Sequence, residues 1–262
     1  MRNVAATGAT PHAITDCLCF GNPENPEQMW QFAEATKGVA DACKGIRLKH
    51  NPDHTVPIIA GNVSFYNESS AGAIPPSPIV SCLGRLSDVD KAITTGFKKN
   101  NSKIMLIGER KKELGGSLYY SLFNHLGKDL PKPNLDQVES EIWALTDLID
   151  NRLVLSAHDI SDGGVAITLS EMSFYNEIGF EVKINSAGRP DVWLFSETGG
   201  FIIELEENVL PQAQAVMSKY NIHYEEIGET TQHQAMVFGE IIHMPILKAK
   251  DSWQRSLRNK IQ

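Results

Sequence analysis

The amino-acid sequence predicts an α+β protein built from two domains. Short apolar runs typical of strands alternate with longer amphipathic segments typical of helices throughout the 262 residues. The composition, with 42% hydrophobic and 21% charged residues, is that of an ordinary globular protein. A polar run, Lys98–Lys103, separates two series of such elements and is the expected linker. We therefore expect one domain at residues 1–93 and a second at residues 94–262.

The first domain is expected to combine one long helix with three strands. Residues 1–8 resemble the last turns of a helix that ends at Gly8, so an upstream part is expected to be missing. Pro26–Lys44 carries apolar residues at helical spacing, which predicts an amphipathic helix whose apolar face, including Trp30, packs on the sheet. Strands are predicted within Pro11–Phe20, at Val56–Ala60 and at Ile79–Leu86. The strand at Val56–Ala60 is expected to be buried and to present the residues that follow it at its end.

The second domain is expected to alternate strands with helices. Its predicted strands are short apolar runs, and its predicted helices carry apolar residues three and four positions apart. The strands are predicted at Ile104–Ile107, Leu153–Ala157, Phe180–Ile184, Phe201–Leu205 and Val237–Ile242. The helices are predicted at Leu118–Leu126, Leu135–Asn151, Val165–Phe174 and Val209–Tyr220.

The charge and the cysteine content exclude several classes of protein. A formal net charge of -8 argues against general binding to nucleic acids or to anionic membranes, which both require concentrated positive surface. No apolar run approaches the roughly 20 residues of a membrane helix, and the N-terminus lacks the pattern of a signal peptide. The four cysteines form no CxxC pair, so neither a zinc site nor a disulfide framework is indicated. A cytoplasmic protein is expected.

Two of these cysteines, Cys17 and Cys19, lie on one face of an extended segment. Two thiols on one face are able to bind a soft metal. Without further ligands, however, the pattern favours two small buried apolar side chains.

Polar residues around the strand at Val56–Ala60 form the first candidate site. Gly61 allows a ligand to approach the main chain, Asn62 offers an oxygen to a cation such as Mg²⁺, and Ser64 offers a hydroxyl to a phosphate or an amide. Asp16, after another apolar run, is able to hold Mg²⁺ or the polar edge of a nucleotide. The alternative is a polar turn in which these side chains cap neighbouring backbone groups.

The segment His158–Gly164 forms the second candidate site. Gly163 and Gly164 at a helix N-terminus expose amide groups that favour an anion, and Asp159 and Asp162 are able to hold the Mg²⁺ that accompanies a polyphosphate. The alternative is capping of the helix by Ser161 or Asp162. His158 is either a general base or, more commonly, a hydrogen-bonded structural residue.

Residues Ser196–Gly200 offer a further anion-binding turn, although a hairpin connection explains them equally well.

Several motifs occur in the same order as in the phosphoribosylformylglycinamidine synthase family, which the chain resembles over nearly its whole length. Each is modest alone, but their common order makes coincidence improbable. The motifs lie at Arg2–Ala9, Ala13–Leu18, Phe20–Glu24, Met29–Phe32, Gly61–Glu68, Ile74–Pro78, Glu113–Ser117 and His158–Gly164.

The resemblance implies a fold and a reaction. The chain would be the C-terminal half of a synthetase with two repeated halves, in which an A-type domain with a mixed sheet precedes a B-type α/β sandwich domain of the aminoimidazole ribonucleotide synthetase kind. In such enzymes ATP activates the formamide oxygen of formylglycinamide ribonucleotide, and ammonia from a glutaminase domain or subunit displaces phosphate to give the amidine.

The resemblance also implies roles for single residues. Asp16 and Gly61 would contact ATP, Asn62 would bind Mg²⁺, and Ser64 would touch the ribonucleotide substrate, on the face that meets the N-terminal half. Asp159 and Asp162 would be metal ligands beside the phosphate-binding Gly163 and Gly164. The catalytic histidine would belong to the N-terminal half, so this chain would carry no catalytic residue of its own and would be inactive alone.

Three features depart from the family pattern. Cys19 stands where the family usually has asparagine, His12 interrupts a commonly apolar position, and Leu48–Val56 resembles an insertion. One rival interpretation is another ATP-using member of the superfamily, against which the stretch Phe20–Pro23 argues. A second is a structural module that binds a nucleotide without turnover. An incomplete A-type sheet would leave a strand edge unpaired, which predicts self-association of the isolated chain.

Overall fold

The computed structural model describes residues 1–185 and 189–255, which form two compact units. The first unit consists of Met1, Asn3–Ala5 and Ala9–Ser87, and the second of Arg2, Ala6–Gly8 and the chain from Asp88 onward. The elements of the first unit begin with a short helix, which also contains Arg2. They are α1 (Arg2–Ala5), β1 (Thr10–Cys19), α2 (Pro26–Gly45), β2 (Arg47–Leu48), β3 (Asn51–Thr55), β4 (Ile58–Ser64), β5 (Glu68–Ser69), β6 (Gly72–Ala73) and β7 (Ser77–Arg85).

A three-stranded sheet in the order β4-β1-β7 is the centre of the first unit. β1 pairs in parallel with β4 and antiparallel with β7, so its backbone is hydrogen-bonded along both edges. The predicted insertion at Leu48–Val56 contains the exposed strand β3, which pairs with β2.

The strand predicted at Val56–Ala60 begins later and is not buried. β4 starts at Ile58, and all of its residues except the last are exposed, including Ile59 at 59% of its surface. The prediction of a buried strand is therefore wrong, because β4 has a neighbour on one side only. As a consequence, Gly61, Asn62 and Ser64 lie within the strand rather than beyond its end.

Helix α2 confirms the predicted helix at Pro26–Lys44, but its packing differs from the prediction. The helix begins with the side chain of Asn25 accepting a hydrogen bond from the Glu27 amide, and Pro26 supplies the first turn. Only Cys43 is buried, and Trp30 is 63% exposed. The apolar face packs mainly through Phe32, whose ring contacts Phe20 and Phe65 edge to face at 5.3 and 5.0 Å.

The second unit alternates strands and helices, as predicted. Its elements are β8 (Lys103–Ile107), α3 (Leu118–Ser121), α4 (Leu135–Asp150), β9 (Ser156–Asp159), α5 (Gly164–Phe174), β10 (Gly179–Val182), α6 (Pro190–Phe195), β11 (Phe201–Leu205), α7 (Leu210–Lys219), β12 (Tyr224–Thr231), β13 (Ala235–Phe238), β14 (Ile242–Pro245) and α8 (Ile246–Arg255). The strands form one seven-stranded sheet in the order β14-β13-β10-β12-β8-β11-β9.

Both faces of this sheet are buried. Ile104, Leu106 and Ile202 share one cluster with α5, α6 and the start of α8. The alternate residues Met105 and Ile107 are equally buried, so the opposite face is covered as well. Among the described helices, α4 and α7 contact each other and bury residues that do not belong to that cluster. This arrangement explains the nearly continuous apolar runs of β8 and β11.

The polar run Lys98–Lys103 is not a linker. The buried carboxylate of Glu204 on β11 accepts hydrogen bonds from the Lys98 and Lys99 amides at 2.8 and 3.0 Å, and from the Ser102 hydroxyl at 2.6 Å. A fourth bond comes from Ser156 at 2.7 Å. These bonds hold the segment to the sheet of the second unit, although its composition is that of a loop.

Three further predictions are corrected in the second unit. The helix predicted at Leu118–Leu126 ends at Ser121, and Asn124 adopts a positive φ of 51°. The strand predicted at Leu153–Ala157 begins at Ser156 and reaches Asp159. The strand predicted at Val237–Ile242 is instead two antiparallel strands, β13 and β14, because Gly239 turns the chain with a φ of 53°. No helix within residues 1–185 and 189–255 is long and apolar enough to cross a membrane.

Candidate functional site

Asp16 and Gly61 are brought together on the sheet of the first unit. They are direct partners in the parallel register of β1 and β4. A Cβ atom added to Gly61 would lie 2.5 Å from Oδ1 of Asp16, so the carboxylate covers the main chain of Gly61. A larger residue at position 61 would displace it. The two residues are thus close enough to contact one ligand, and their contact with ATP stays a prediction.

Asn62 and Ser64 project from the opposite face of the same sheet. Side chains alternate along a strand, and Asn62 and Ser64 pair with Cys17 and Cys19 rather than with Asp16. Of the four residues predicted for the first candidate site, two thus lie on each face. A single small ligand on one surface of this sheet therefore cannot contact the side chains of Asp16, Asn62 and Ser64 together.

The hydroxyl of Ser64 takes part in a local turn. Asn67 shares a hydrogen bond with it, with Oδ1 of Asn67 at 3.2 Å and Nδ2 at 3.1 Å from Oγ. The Asn67 amide also donates to the carbonyl of Phe20 at 3.0 Å. The alternative of a polar turn at Gly61–Ser64 is therefore wrong, because these residues lie in β4 and it is the Asn67 side chain that bonds the backbone. Asn67 belongs to the Gly61–Glu68 motif, yet the motif alone did not reveal that it holds Ser64.

Two glycines form the start of α5 in the second unit. Gly163 and Gly164 have φ values of 76° and 66°, in the left-handed region that glycine adopts without steric strain. A Cβ on Gly164 would also lie 2.7 Å from the carbonyl oxygens of Leu194 and Ser196. Gly163 is the N-cap, and no side chain caps the helix, so capping by Ser161 or Asp162 is wrong.

Both glycine amides already have partners. Gly163 donates to Oε1 of Glu197 at 2.9 Å, and the same oxygen accepts from the Leu118 amide at 2.8 Å. The Gly164 amide donates to the carbonyl of Ser161 at 3.0 Å. The carboxylate of Glu197 therefore provides the negative charge that the N-terminus of α5 favours. Glu197 lies in the Ser196–Gly200 turn, which follows helix α6 and so is not a hairpin connection.

His158 links the end of β9 to the side of α5. Its Nε2 lies 3.1 Å from Oε2 of Glu171, and its Nδ1 lies 3.5 Å from Oδ1 of Asp159. Burial opposes protonation of the ring, but the hydrogen bonds with Asp159 and Glu171 prevail and raise the pKa of His158 to about 9. The ring is therefore a cation at neutral pH, which fits the structural role rather than that of a general base.

The two predicted metal ligands of this segment differ in their surroundings. Asp159 faces cationic His158, and its charge also raises the pKa of Arg2 against the effect of burial. Asp162 is exposed. Within the described part of the chain, no group of three or more His, Cys, Asp or Glu residues is arranged to hold a metal ion.

A polar cavity of about 340 Å³ lies in the second unit next to these residues. Its wall combines four segments that the sequence had singled out, the Arg2 motif, the Glu113 motif, the His158–Gly164 segment through Ile160, and the turn around Glu197. The remaining wall comes from Glu109 and Lys111, from residues 131–134 and from the first turns of α4. The lining residues include Arg2, Lys111, Lys132, Glu109, Glu113, Glu141, Glu197 and Thr198.

Buried charges stand behind one wall of this cavity. Glu141 on α4 is 3% exposed, and its Oε2 lies 3.8 Å from Nε of Arg2. Burial raises the pKa of Glu141, while the charges of Arg2 and Arg110 oppose that rise. Burial also lowers the pKa of Arg110 to about 10. Among the described residues, Arg2 Nε and Glu141 Oε2 are buried atoms without a hydrogen-bond partner. A wall of this kind is suited to a polar ligand with both donor and acceptor groups.

Glu113 and Arg110 secure the loops of the cavity. Glu113 accepts hydrogen bonds from the Thr198 hydroxyl at 2.7 Å and from the Lys132 amide at 3.2 Å. Arg110 donates to the carbonyl of Gly199 at 2.6 Å. Sequence reasoning missed Arg110 and Glu141 as site residues, whereas Glu197 lies in the Ser196–Gly200 turn that it had singled out. Of the two missed residues, only Glu141 carried a signal, since it is a carboxylate on the apolar side of a predicted helix.

Models of known families match both units. The model of AIR synthase related protein, N-terminal domain, matches residues 1–86, and that of AIR synthase related protein, C-terminal domain, matches residues 99–239. The second match alone covers more than half of the chain. The chain therefore belongs to the AIR synthase related protein family, and the predicted α+β, two-domain fold class is confirmed.

Within this family the chain is similar to the PurL subunit of phosphoribosylformylglycinamidine synthase, as its motifs predicted. The PurL subunit of Methanothrix thermoacetophila is 38% identical over 268 residues, which cover 100% of this chain and 35% of that protein. T. maritima PurL complexed with FGAR superposes with a TM-score of 0.72 at 13% identity, over 95% of this chain and 41% of that one. The same protein complexed with ATP gives 0.68 at 13% identity, over 95% and 39%. At such identities the structures show the fold alone.

The chain spans about a third of the length of the curated relatives that it matches.

Proposed function

We propose that this chain contributes the C-terminal half of an ATP-dependent ligase that converts formylglycinamide ribonucleotide and ammonia to formylglycinamidine ribonucleotide. The observation that carries the proposal is the match to the PurL subunit across the whole chain at 38% identity. In the proposed reaction ATP phosphorylates the formamide oxygen, ammonia then displaces phosphate, and ADP and phosphate leave. The proposed domain limits remain residues 1–93 and 94–262.

The proposal assigns the chemistry to more than one polypeptide region. This chain binds and orients the ligands, while an N-terminal half supplies the catalytic histidine and a glutaminase domain or subunit supplies ammonia. The exposed apolar side chains of β4 and β7, such as Ile59 and Ile79, support an interface with the N-terminal half. Purine synthesis at this step implies a cytoplasmic location.

The residues of the first unit fit a nucleotide and a metal ion in different ways. Asp16 and Gly61 support contact with ATP, because the Asp16 carboxylate lies against the main chain of Gly61 and a nucleotide group bonded to it would be close to both residues. Asn62 offers an oxygen ligand to Mg²⁺ from the other face of the sheet, where Ser64 would meet the ribonucleotide. Asp16 and Gly61 lie on one face of the sheet, and Asn62 and Ser64 lie on the other. We therefore propose that the two pairs bind separate ligands, or separate parts of one ligand that extends around the edge of β4 from one face to the other.

The residues of the second unit fit a phosphate on one condition. Gly163 is able to donate its amide to a phosphate only if Glu197 leaves that amide. Arg2, Lys111 and Lys132 supply positive charge around the neighbouring cavity, which Glu197 also lines. Asp159 and Asp162 offer oxygen ligands only, the class that Mg²⁺ prefers. When bound, Mg²⁺ would neutralise phosphate charge during transfer to the formamide oxygen.

A second candidate function is a nucleotide-binding module without turnover. The bond between Glu197 and the Gly163 amide favours it, because a site that is filled by its own carboxylate binds phosphate more weakly. In the ligase, the cavity of this chain would be required for turnover when the chain is combined with the N-terminal half. In the module without turnover, the combined halves would form product without that cavity.

Calorimetric titration with Mg²⁺-ADP and Mg²⁺-ATP tests the proposed sites. We expect binding to be lost in Asp162→Asn and retained in Asn62→Ala if the second unit holds the nucleotide, and the reverse if the first unit holds it. Asp90→Asn is the matched control, since it removes the same charge at an exposed position outside the cavity. Equal binding by all four proteins would reject both metal assignments.

Assays of the chain combined with a purified N-terminal half of a PurL relative test the reaction itself. Formation of the amidine product from ammonia, ATP and formylglycinamide ribonucleotide is expected only when both halves are present. Nucleotide binding without product under those conditions would support the module without turnover.

A further inference from the structure

Two thiols that the proposed reaction does not use lie side by side on the central strand of the first unit. Cys17 and Cys19 occupy alternate positions of β1, so both side chains project from the same face of the sheet. Their sulfur atoms are 3.7 Å apart, and both residues are partly exposed. The expectation of two small buried side chains is therefore wrong for this pair.

The sheet fixes the spacing of the two thiols. Cys17 pairs with Asn62 on β4 and with Ile79 on β7, and Cys19 pairs with Ser64 and Ser77. Because β1 is hydrogen-bonded along both edges, its backbone does not need to rearrange for both sulfur atoms to contact one ligand. Such pre-organisation lowers the entropic cost of binding.

The distance between the sulfur atoms matches a chelate. As a reference, two thiolates at about 2.3 Å from one tetrahedral Zn²⁺ ion are about 3.8 Å apart, so the spacing of Cys17 and Cys19 lies in the range in which two sulfur atoms bind one ion. Sulfur ligands select soft ions over hard ones, so the Mg²⁺ of the proposed reaction would not compete for this pair. Asn62 and the two serines add oxygen atoms on the neighbouring strands, at positions that flank the thiols.

We propose that Cys17 and Cys19 form a dithiol site for one thiophilic ion, of the class of Cd²⁺, Hg²⁺ or trivalent arsenic, on the open face of the three-stranded sheet. The hydrogen bond with Cys17 raises the pKa of Cys19, so this thiol carries its proton at neutral pH and loses it on binding. An ion at this position lies beside Asn62 and Ser64. Because the proposed ligase reaction assigns these two residues to Mg²⁺ and to the ribonucleotide, a bound ion would lie against that site, although its binding does not depend on ligase activity.

Phenylarsine oxide is the probe, because its trivalent arsenic needs only two protein ligands. Two As–S bonds form and the arsenic–oxygen bond breaks, while the two thiol protons leave with that oxygen as water. Arsenic stays trivalent and no electron is transferred, so neither oxidant nor reductant is required.

The chain contains its own control thiols. Cys82 pairs with Ile14, three residues before Cys17, and therefore lies on the opposite face of the sheet. Cys43 is buried on α2. Burial and the charges of Asp16 and Cys82 raise the pKa of Cys43, so Cys43 and Cys82 lie near one another. This second pair of thiols must be tested as a competitor for the same ion.

Intact-mass spectrometry of the 262-residue chain with one equivalent of phenylarsine oxide and excess monothiol tests the proposal. We expect one adduct on the unchanged protein and on Cys82→Ser, and affinity weaker by on the order of 100-fold in Cys17→Ser and in Cys19→Ser, because the chelate is lost. Peptide mapping of the unchanged protein should place the adduct on residues 17–19.

Three results would overturn the site. They are the absence of an adduct on the unchanged protein, its persistence in Cys17→Ser, and its loss in Cys82→Ser. Circular dichroism of each variant checks that serine has not unfolded the sheet. Because mapping uses the unchanged protein, it decides the matter even if one variant fails to fold.

Discussion

The Gly163 amide shows how a single side chain can occupy a position that a motif predicts for a ligand. Two glycines before a helix indicate an anion site, and the structure does bring an anion there, namely the carboxylate of Glu197. That residue follows Gly163 by 34 positions. The motif predicts the chemistry of the helix terminus, but the partner depends on how two distant loops fold together. A phosphate must therefore compete with a carboxylate of the same chain.

The protonated ring of His158 makes the stability of the second unit depend on pH. Its pKa is about 9 in the folded protein and about 6.5 in an unfolded chain. Below pH 6.5 the ring is charged in both states and the stabilisation is fully present, whereas above pH 9 it is neutral in both and the stabilisation is lost. Asp159 and Glu171 face the ring, and Lys250, paired with Glu177, lines the same pocket.

Urea unfolding at pH 6 and at pH 9.5 measures this contribution. We expect the free energy of unfolding of the unchanged protein to fall by about 1–3 kcal/mol more than that of His158→Gln between these two values. The variant keeps a polar side chain but does not titrate. Identical pH dependence of both proteins would mean that the ion pairs of His158 are not maintained in solution.

At the scale of elements, the sequence predicts the limits of four helices closely, although α6 and α8 were not predicted. α2, α4, α5 and α7 begin and end within about one residue of their predicted limits, since three or more turns give a clear period of apolar residues. β12 was not predicted, because Glu225, Glu226 and Glu229 interrupt the run of apolar residues that is typical of a strand. It lies inside the sheet between β10 and β8, where Ile227 is buried. Its position depends on partners distant in sequence, which no local pattern reports.

The same limit applies to the candidate site. The residue types at Asp16, Gly61 and Gly163 predicted where ligands can approach. They did not reveal that Asn62 and Ser64 face away from Asp16, because the extent of β4 and its register with β1 were needed for that. The predicted division near residue 93 stays a prediction, since the units separate at Ser87 and the family models at residues 86 and 99.

The turn into α5 should tolerate no side chain at Gly164. Gly164→Ala combines a left-handed φ with a Cβ at 2.7 Å from two carbonyl oxygens, and we expect it to cost about 2–4 kcal/mol. Gly239→Ala is the control, because Gly239 has a similar φ of 53° and its nearest neighbour, Ile184, would be 3.7 Å from the new Cβ. It should cost about 1–2 kcal/mol.

Equilibrium unfolding in urea compares the two variants with the unchanged protein. A penalty for Gly164→Ala no larger than that for Gly239→Ala would show that the start of α5 can shift away from the carbonyls of Leu194 and Ser196. The space around these glycines would then be looser than the structure indicates.

At the scale of the whole molecule, the two units expose different kinds of surface. The second unit buries both faces of its sheet and presents a charged cavity. The first unit leaves large apolar side chains in water on β4 and β7, namely Ile58, Ile59, Val63, Ile79, Val80 and Leu83. Because both strands are edges, they also offer main-chain groups for pairing with another sheet. The net charge of -8 is the main feature that opposes association of the chain with itself.

We expect the isolated chain to self-associate through this sheet in solution. Sedimentation velocity from about 1 to 200 μM should show the mean mass rising with concentration, and Ile79→Lys should raise the dissociation constant by about tenfold or more, because it replaces a buried apolar contact with a charge. Val89→Lys is the control, since Val89 is 78% exposed on a short helical turn outside the sheet. A monomer at every concentration would contradict the prediction, and equal weakening by both lysines would assign the effect to net charge rather than to the sheet.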